Sequence, residues 1–375
     1  MDELSAKLIL LRAPITGAQW YSLFERFGTA SEILSQGSSA WLECGLTARS
    51  VEVLATTVES TVAADCEWLQ HPGHHLVCIA DEQYPRLLRQ LPDAPTGLFV
   101  SGKLSLLSLP QLAIVGSRNP TPYGREVASA FARHLTHCGL VITSGLAEGI
   151  DAASHRGALE GTGQTIAVCG TGLDSIYPRS SESLARDIEQ GGALVSEFPI
   201  GTAARKYHFP LRNRIISGLS LGTFVVEAAL HSGSLITAKQ AGDYGREVFA
   251  LPGSIHNPMA KGCHQLIRQG AKLVDSAEDI LSELGPLASL VASLPKSRPP
   301  AGNHTDLQAN SQMLLDKDYK ILLDALGFEP ASIDQLIERS GLKADEVASM
   351  LLILELEEHI SSVPGGLYVR TPVSC

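Results

Sequence analysis

Leu112-Ala113-Ile114-Val115-Gly116-Ser117-Arg118-Asn119-Pro120-Thr121-Pro122-Tyr123-Gly124 runs from four apolar residues into a Gly/Ser/Pro turn and on into a helix-forming segment that starts near Gly124. The apolar run has strand length, and the turn carries a hydroxyl and a guanidinium. The same order of strand, turn and helix recurs further along the chain. Leu140–Thr143, Thr165–Cys169, Ala193–Ser196, Thr223–Val226 and Val248–Ala250 are short apolar runs, with helical stretches such as 124–138 and 150–160 between them. Apolar runs alternating with helices imply βαβ units and a parallel sheet covered on both faces. The expected fold class is α/β, a doubly wound, Rossmann-like parallel sheet. Its dense part spans about 108–285 and the whole domain 76–285. Ligands of such a sheet sit at the carboxyl ends of its strands.

The flanks read differently. Residues 1–75 form short helices joined by turns, with Trp20, Leu23, Phe24 and Phe27 at helical spacing and Gly28 as a stop. This predicts a small helical module of the SAM or helix-hairpin-helix type, which serves either as a packing domain or as a binding one. Residues 286–312 hold Pro286, Pro295, Pro299 and Pro300 among Ser, Gly and Asn, the composition of a linker. After it, helices are expected over 317–326, 332–339 and 343–358. The strands Ile360–Val363 and Leu367–Arg370 should then pair across Pro364-Gly365-Gly366. Three helices and a hairpin over 313–375 predict a winged helix. Its third helix carries Asp345, Glu346, Glu355, Glu357 and Glu358 against Lys343 alone, a charge that repels phosphate and suits protein contact.

The chain has 375 residues, 44% hydrophobic and 18% charged, which is an ordinary globular composition. No apolar run reaches the roughly 18–20 residues of a membrane span, and Met1-Asp2-Glu3-Leu4 lacks the positive opening of a secretory signal. Seven cysteines with no C-x-x-C pair fit reduced thiols in the cytoplasm. No Cys/His cluster has the spacing of a zinc site, and no metal or other cofactor is expected. The net charge of −11 lies entirely in the flanks, because 81–312 holds 20 basic and 20 acidic residues. Between Glu197 and Glu227 there is no acidic residue, yet Arg205, Lys206, His208, Arg212 and Arg214 fall there. A local cationic surface attracts a polyanion whatever the global sum. The plainer alternative is a solvated basic loop.

No G-x-G-x-x-G opens a helix, and no G-x-S-x-G is present. Gly97–Lys103 matches P-loop spacing, but Leu104 stands where Mg²⁺ needs a hydroxyl and Leu98-Phe99-Val100 reads as strand. Four Gly/Ser turns follow strands instead: 116–124, Ser144–Asp151, Gly170–Asp174 leading to Tyr177-Pro178, and Ser232–Thr237. At the carboxyl edge of one sheet they would share one crevice. Backbone N–H groups at Ser117 and Gly145, with the Arg118 fork, would suit phosphates there. Lys206-Tyr207-His208-Phe209-Pro210-Leu211-Arg212-Asn213-Arg214 interleaves rings with cations, as a single strand requires: bases stack while cations track the backbone. Alternatively Phe209 is core, and Arg212 or Arg214 pairs with a carboxylate such as Glu227; at least one of the two arginines is expected to be paired in this way.

Taken in order, G-S-R-x-x-T-x-Y-G (116–124), S-G-L-A-x-G-I-D (144–151), G-L-D-x-x-Y-P (172–178), S-E-F-P-x-G-T (196–202), F-P-x-R-N-R-I-I-S-G-L-S (209–220), E-A-x-x-x-S-G-S-L-I-T-A (227–238), R-E-V-F-A-L-P-G (246–253) and N-P-x-x-x-G-C-H-x-L-I-R-x-G-A (257–271) resemble the DprA/Smf family of DNA-processing proteins. The resemblance is dense over about 80–285. It implies a cytoplasmic protein with no catalytic activity that binds single-stranded DNA in natural transformation, helps load the RecA recombinase, and dimerises through the Rossmann-like domain. Carried over position by position, it implies a DNA site of Ser117, Arg118, Gly145, Lys206, Phe209 and Asn213, to which the basic segment adds Arg212. Two positions depart from the family pattern. Ala203-Ala204 replaces a usual proline, which loosens the loop carrying Lys206, and Ser181 stands where Asn is frequent. The rival expectation, from fold alone, is a nucleotide-binding hydrolase using the same Gly-rich crevice, with Glu148, Asp151 or Glu227 as acid/base.

Overall fold

The computed structural model describes residues 1–293 and, beyond them, 322, 326, 331–342, 347, 351, 354, 360–363 and 367–370. One sheet holds nine strands: β1 (His74–Cys78), β2 (Gly97–Gly102), β3 (Gln111–Val115), β4 (Val141–Ser144), β5 (Thr165–Val168), β6 (Ala193–Ser196), β7 (Gly222–Val225), β8 (Glu247–Ala250) and β9 (Lys272–Leu273). Their spatial order is β1-β2-β6-β5-β4-β3-β7-β8-β9. The pairings from β6 through β9 are parallel, and β1 and β2 join antiparallel at the β6 side. All six strands expected from the apolar runs are present, and Gly97–Gly102 is strand rather than a phosphate loop. The short edge strand β9 and the His-led β1 carry too weak a pattern to be read locally.

The order of the strands reverses between β3 and β7. Loops leaving the two strands there diverge to opposite faces and open a crevice at the carboxyl edge. Burial on both faces follows from the pleat, in which successive side chains point oppositely. Leu112 and Ile114 of β3 lie in one core with Ala128, Leu135, Ile150 and Phe224. Ala113 and Val115 lie in the other with Ile215, Leu219 and Ala238. Helices Pro122–His137 and Ile150–Glu160 thus cover the first face, and His208–Leu219 and Ser234–Asp243 the second.

The first 69 residues form six short α-helices, from Glu3–Leu10 to Ala63–Leu69. Side-chain caps set several starts: Asp2, Thr47, and the reciprocal Thr16/Gln19 and Thr29/Glu32 boxes. Leu8, Trp20, Leu23 and Ile33 share a core with Val77, Leu98 and Phe99 of the sheet. Leu11 fills the space above Gly97, where a Cβ would lie 2.7 Å from it. Residues Met1–Pro299 therefore form one compact unit, and Pro300–Cys375 form a second.

The helix Ala277–Ser293 runs through Pro286, so the segment expected to be linker from 286 begins inside a helix. The rest of that segment lies outside the described residues. In the second unit β10 (Ala331–Ser332), β11 (Ile360–Val363) and β12 (Leu367–Arg370) form an antiparallel sheet of order β10-β12-β11. The helix Ile333–Ser340 starts on a Ser332/Gln335 capping box. The helices expected over 317–326 and 343–358 lie largely outside the described residues. Leu322, Leu326, Val347, Leu351 and Leu354 from those stretches are nevertheless buried with Leu336 and Ile360.

Candidate nucleic-acid interface

The Gly/Ser turns follow carboxyl ends of parallel strands, and hydrogen bonds knit the turns after β3 and β4 to each other and to Glu227 just past β7. The turn after β3 is closed on the β7 side: Ser117 N–H donates to the Glu227 carbonyl at 2.6 Å. The Glu227 carboxylate accepts from Thr121 N–H at 2.8 Å and from its hydroxyl at 2.7 Å. Thr121 in turn caps the helix Pro122–His137 by accepting from Gly124 N–H. On its other side the turn meets the β4 loop, where Ile150 N–H donates to the Ser117 carbonyl at 3.1 Å. That approach depends on Gly149, whose φ is +84° and whose Cβ, if present, would lie 2.3 Å from the Ser117 carbonyl oxygen.

A buried pair of opposite charges braces the β4 loop from behind. Asp151 accepts from Gly145 N–H at 3.1 Å and from Ala147 N–H at 3.4 Å. Arg212 donates to the Gly145 carbonyl at 2.6 Å and to the Val168 carbonyl. Burial pushes the Asp151 carboxyl up to about 6, with the Arg212 charge pulling it back. Burial likewise lowers Arg212, and Asp151 opposes that. A Cβ on Gly145 would sit 2.7 Å from the guanidinium nitrogens, so only glycine lets the arginine reach this backbone.

The acid-free segment lies over the end of β5. His208 Nδ1 is 3.1 Å from the Gly170 carbonyl, and the ring of Phe209 lies 3.1 Å from where a Gly170 Cβ would be. Phe209 is half-buried, and Tyr177 tilts against it at 5.3 Å between centroids. The imidazole of His208 stacks on Phe198 at 4.2 Å. Tyr177 and Tyr207 remain more than half exposed. Arg205, Lys206 and Arg118 are exposed, and among the described residues Lys206 and Arg118 have no intramolecular partner.

Two expectations do not hold in the structure, the surface placement of Arg212 and the outward N–H groups of Ser117 and Gly145. Arg212, expected on the DNA surface, is 4% exposed and held by backbone carbonyls, so it acts behind the surface. Arg214 is paired with carboxylates, as expected for at least one of the two arginines, but the partners are Glu197 and, at 3.8 Å, Asp93 rather than Glu227. The N–H groups of Ser117 and Gly145, expected to face phosphates, donate within the protein. Ser117 itself is half-buried, with its hydroxyl accepting from Asn119 N–H at 3.1 Å. Asn213 is half-buried on the helix that carries Arg212. Ser117, Arg118 and Gly145 thus lie in the turns after β3 and β4, Arg212 and Phe209 reach the ends of β4 and β5, and Lys206 stands on the loop before His208. The acid/base groups of the rival reading are engaged too: Glu227 and Asp151 hold backbone, and Glu148 accepts from Ser180 at 2.6 Å.

Two roles were beyond local reading. The capping work of Glu227 spans 106 residues of sequence. Asp65 of the helical module accepts from Ile200 N–H at 2.9 Å, across 135 residues. A lone acid in a helix gives no signal of a partner that distant.

The chain is similar to known proteins over most of its length. Residues 75–285 match the family described as DNA recombination-mediator protein A, and 306–366 match the DprA winged helix domain. Protein Smf of Escherichia coli (strain K12) is 44% identical, covering 89% of this chain and 87% of that protein. The crystal structure of DNA processing protein A from Streptococcus pneumoniae superposes with a TM-score of 0.65 at 37% identity, over 76% of this chain and 99% of that one. A DNA processing protein A from Helicobacter pylori, described for its single-stranded DNA binding mode, gives a TM-score of 0.52 at 30% identity, over 56% of this chain and 96% of that one. A Rossmann-like sheet, a knitted glycine-rich edge and a C-terminal winged helix, together with these matches, place the chain in the DprA/Smf family of DNA-processing proteins.

Proposed function

We propose that the chain binds single-stranded DNA without sequence preference at the carboxyl edge of its sheet. In that role it protects incoming strands in the cytoplasm and helps load RecA during natural transformation and recombination, without catalysis of its own. The observation that carries this reading is the occurrence of unpartnered cations, Lys206 and Arg118, with the exposed ring of Tyr177 and the half-buried ring of Phe209 at the carboxyl ends of the strands. Cations track phosphates and rings stack bases, at about 1–3 kcal/mol per stacked base. The relative from Helicobacter pylori, described for single-stranded DNA binding, supports it. The family's description as a recombination mediator supports the RecA step.

Within the site, Lys206 and Arg118 hold phosphates and Phe209 supports a base. Ser117 and Asn213 present side chains beside them, while Gly145 and Arg212 shape the floor. The working unit is a homodimer through the Rossmann-like domain. Leu273, 45% exposed on β9, offers an apolar edge for a second copy. No helix among the described residues is long and apolar enough to cross a membrane.

Fluorescence anisotropy with labelled single strands and duplexes at several salt concentrations tests the proposal. Strong single-strand preference with steep salt dependence is expected. Lys206→Ala and Arg118→Ala should each weaken binding and lower the salt slope by about one. Equal or negligible binding to both DNA forms, or unchanged slopes in both variants, would sink it.

A further inference from the structure

The loop that carries Lys206 is not held by the sheet domain alone. Three consecutive residues before it are pinned by backbone hydrogen bonds from two directions. Gly172 N–H donates to the Thr202 carbonyl at 2.9 Å, and Gly201 N–H donates to Asp174 at 2.9 Å, both from the β5 side. Ile200 N–H donates at 2.9 Å to Asp65, which belongs to the N-terminal helical module. Asp65 is fully buried and ion-paired with Arg12 of the same module. Arg12 also donates to the Thr61 carbonyl at 3.3 Å. Beyond Thr202, Ala203, Ala204, Arg205 and Lys206 are all exposed, until His208 N–H ties back to the Arg205 carbonyl.

We infer that the N-terminal helical module is a positioning element for DNA binding: through Asp65 it fixes the Ile200 end of the Lys206 loop and so sets where that cation stands. A carboxylate buried at a domain contact is costly unless its oxygens are all engaged. Here one oxygen meets Arg12 and the other meets Ile200 N–H, an arrangement that a module present only for packing does not require. The two alanines preceding Arg205 give the loop little stiffness of its own, so its placement depends on these pins. Asp65 is a positioning residue and touches no DNA. The role assigned to Lys206 rests on the single-strand reading above, but the pin itself does not.

Two readouts separate the two. The first needs no DNA: limited trypsin cleavage after Arg205 and Lys206 in the full-length protein. Asp65→Ala should speed that cleavage several-fold while other tryptic sites in the sheet domain keep their rates. The second is anisotropy, where Asp65→Ala should weaken single-strand binding several-fold while leaving the salt slope at the wild-type value, because no phosphate contact is deleted. Asp65→Asn is isosteric and keeps an acceptor for Ile200, so it should fall between wild type and Asp65→Ala in both readouts. It also serves if the alanine variant does not fold. Wild-type cleavage rates in a folded Asp65→Ala or Asp65→Asn protein would overturn the inference. Faster cleavage with no single-strand binding by the wild type would keep the pin and remove the DNA reading instead.

Discussion

Gly149 shows how much of this site is fixed by one missing atom. Its positive φ and the 2.3 Å gap to a backbone oxygen leave no room for a side chain, and backbone cannot move aside as a flexible side chain can. Gly149→Ala should therefore cost about 2–4 kcal/mol, the sum of left-handed strain and overpacking. Urea unfolding of both proteins checks this, and a loss under ~0.5 kcal/mol would contradict it. The residue scale is also where the two arginines part from Lys206. All three look alike in sequence, but Arg212 and Arg214 point into carbonyls and carboxylates while Lys206 faces solvent.

At the scale of the element, the helix Ile150–Glu160 carries two buried titratable groups with opposite pH behaviour. Asp151, raised from 3.8 to about 6 by burial, contributes stability that is full below pH 3.8 and lost as pH rises through 6. His155 is lowered from 6.5 to about 3, first by burial and then by the Arg212 and Arg156 charges. Its contribution is full above pH 6.5 and lost as pH falls towards 3. Between about pH 4 and 6 the two slopes oppose each other. Removing the imidazole with His155→Gln leaves Asp151 unopposed. The variant should gain on the order of 3 kcal/mol relative to wild type between pH 7 and pH 4, at 1.36 kcal/mol per pH unit. Denaturant midpoints at the two pH values measure it; a constant difference between the proteins would show that His155 titrates normally.

For the whole molecule, the edge of the sheet matters most. Among the described residues β9 pairs with β8 alone, and Leu273 stands half-exposed on it. Light scattering behind size exclusion should give twice the chain mass for the wild type and the monomer mass for Leu273→Glu, since a buried charge at a two-fold contact meets its own copy. A dimeric variant would place the contact elsewhere. The charge distribution acts at this scale too. The chain is anionic overall, yet its acid-free segment sits with Arg118 at one sheet edge, so attraction to a polyanion is local and falls steeply with salt.

Strand–helix alternation, the carboxyl-edge placement of the Gly/Ser turns, the basic and aromatic segment after Glu197 and the hairpin of the C-terminal unit are all legible along the chain. Each of these is a local pattern, readable from period, turn residues or composition within a few positions. Which cations stay free, that Ser117 turns its N–H group inward, and that Asp65 reaches the Lys206 loop are set by the packing of the layers. Those outcomes rest on the contacts of Arg212 with Gly145, across 67 residues of chain, of Ser117 with Glu227, and of Asp65 with Ile200, across 135. A side chain's partner at such separation is set by how the layers pack, and nothing in its neighbours along the sequence records it.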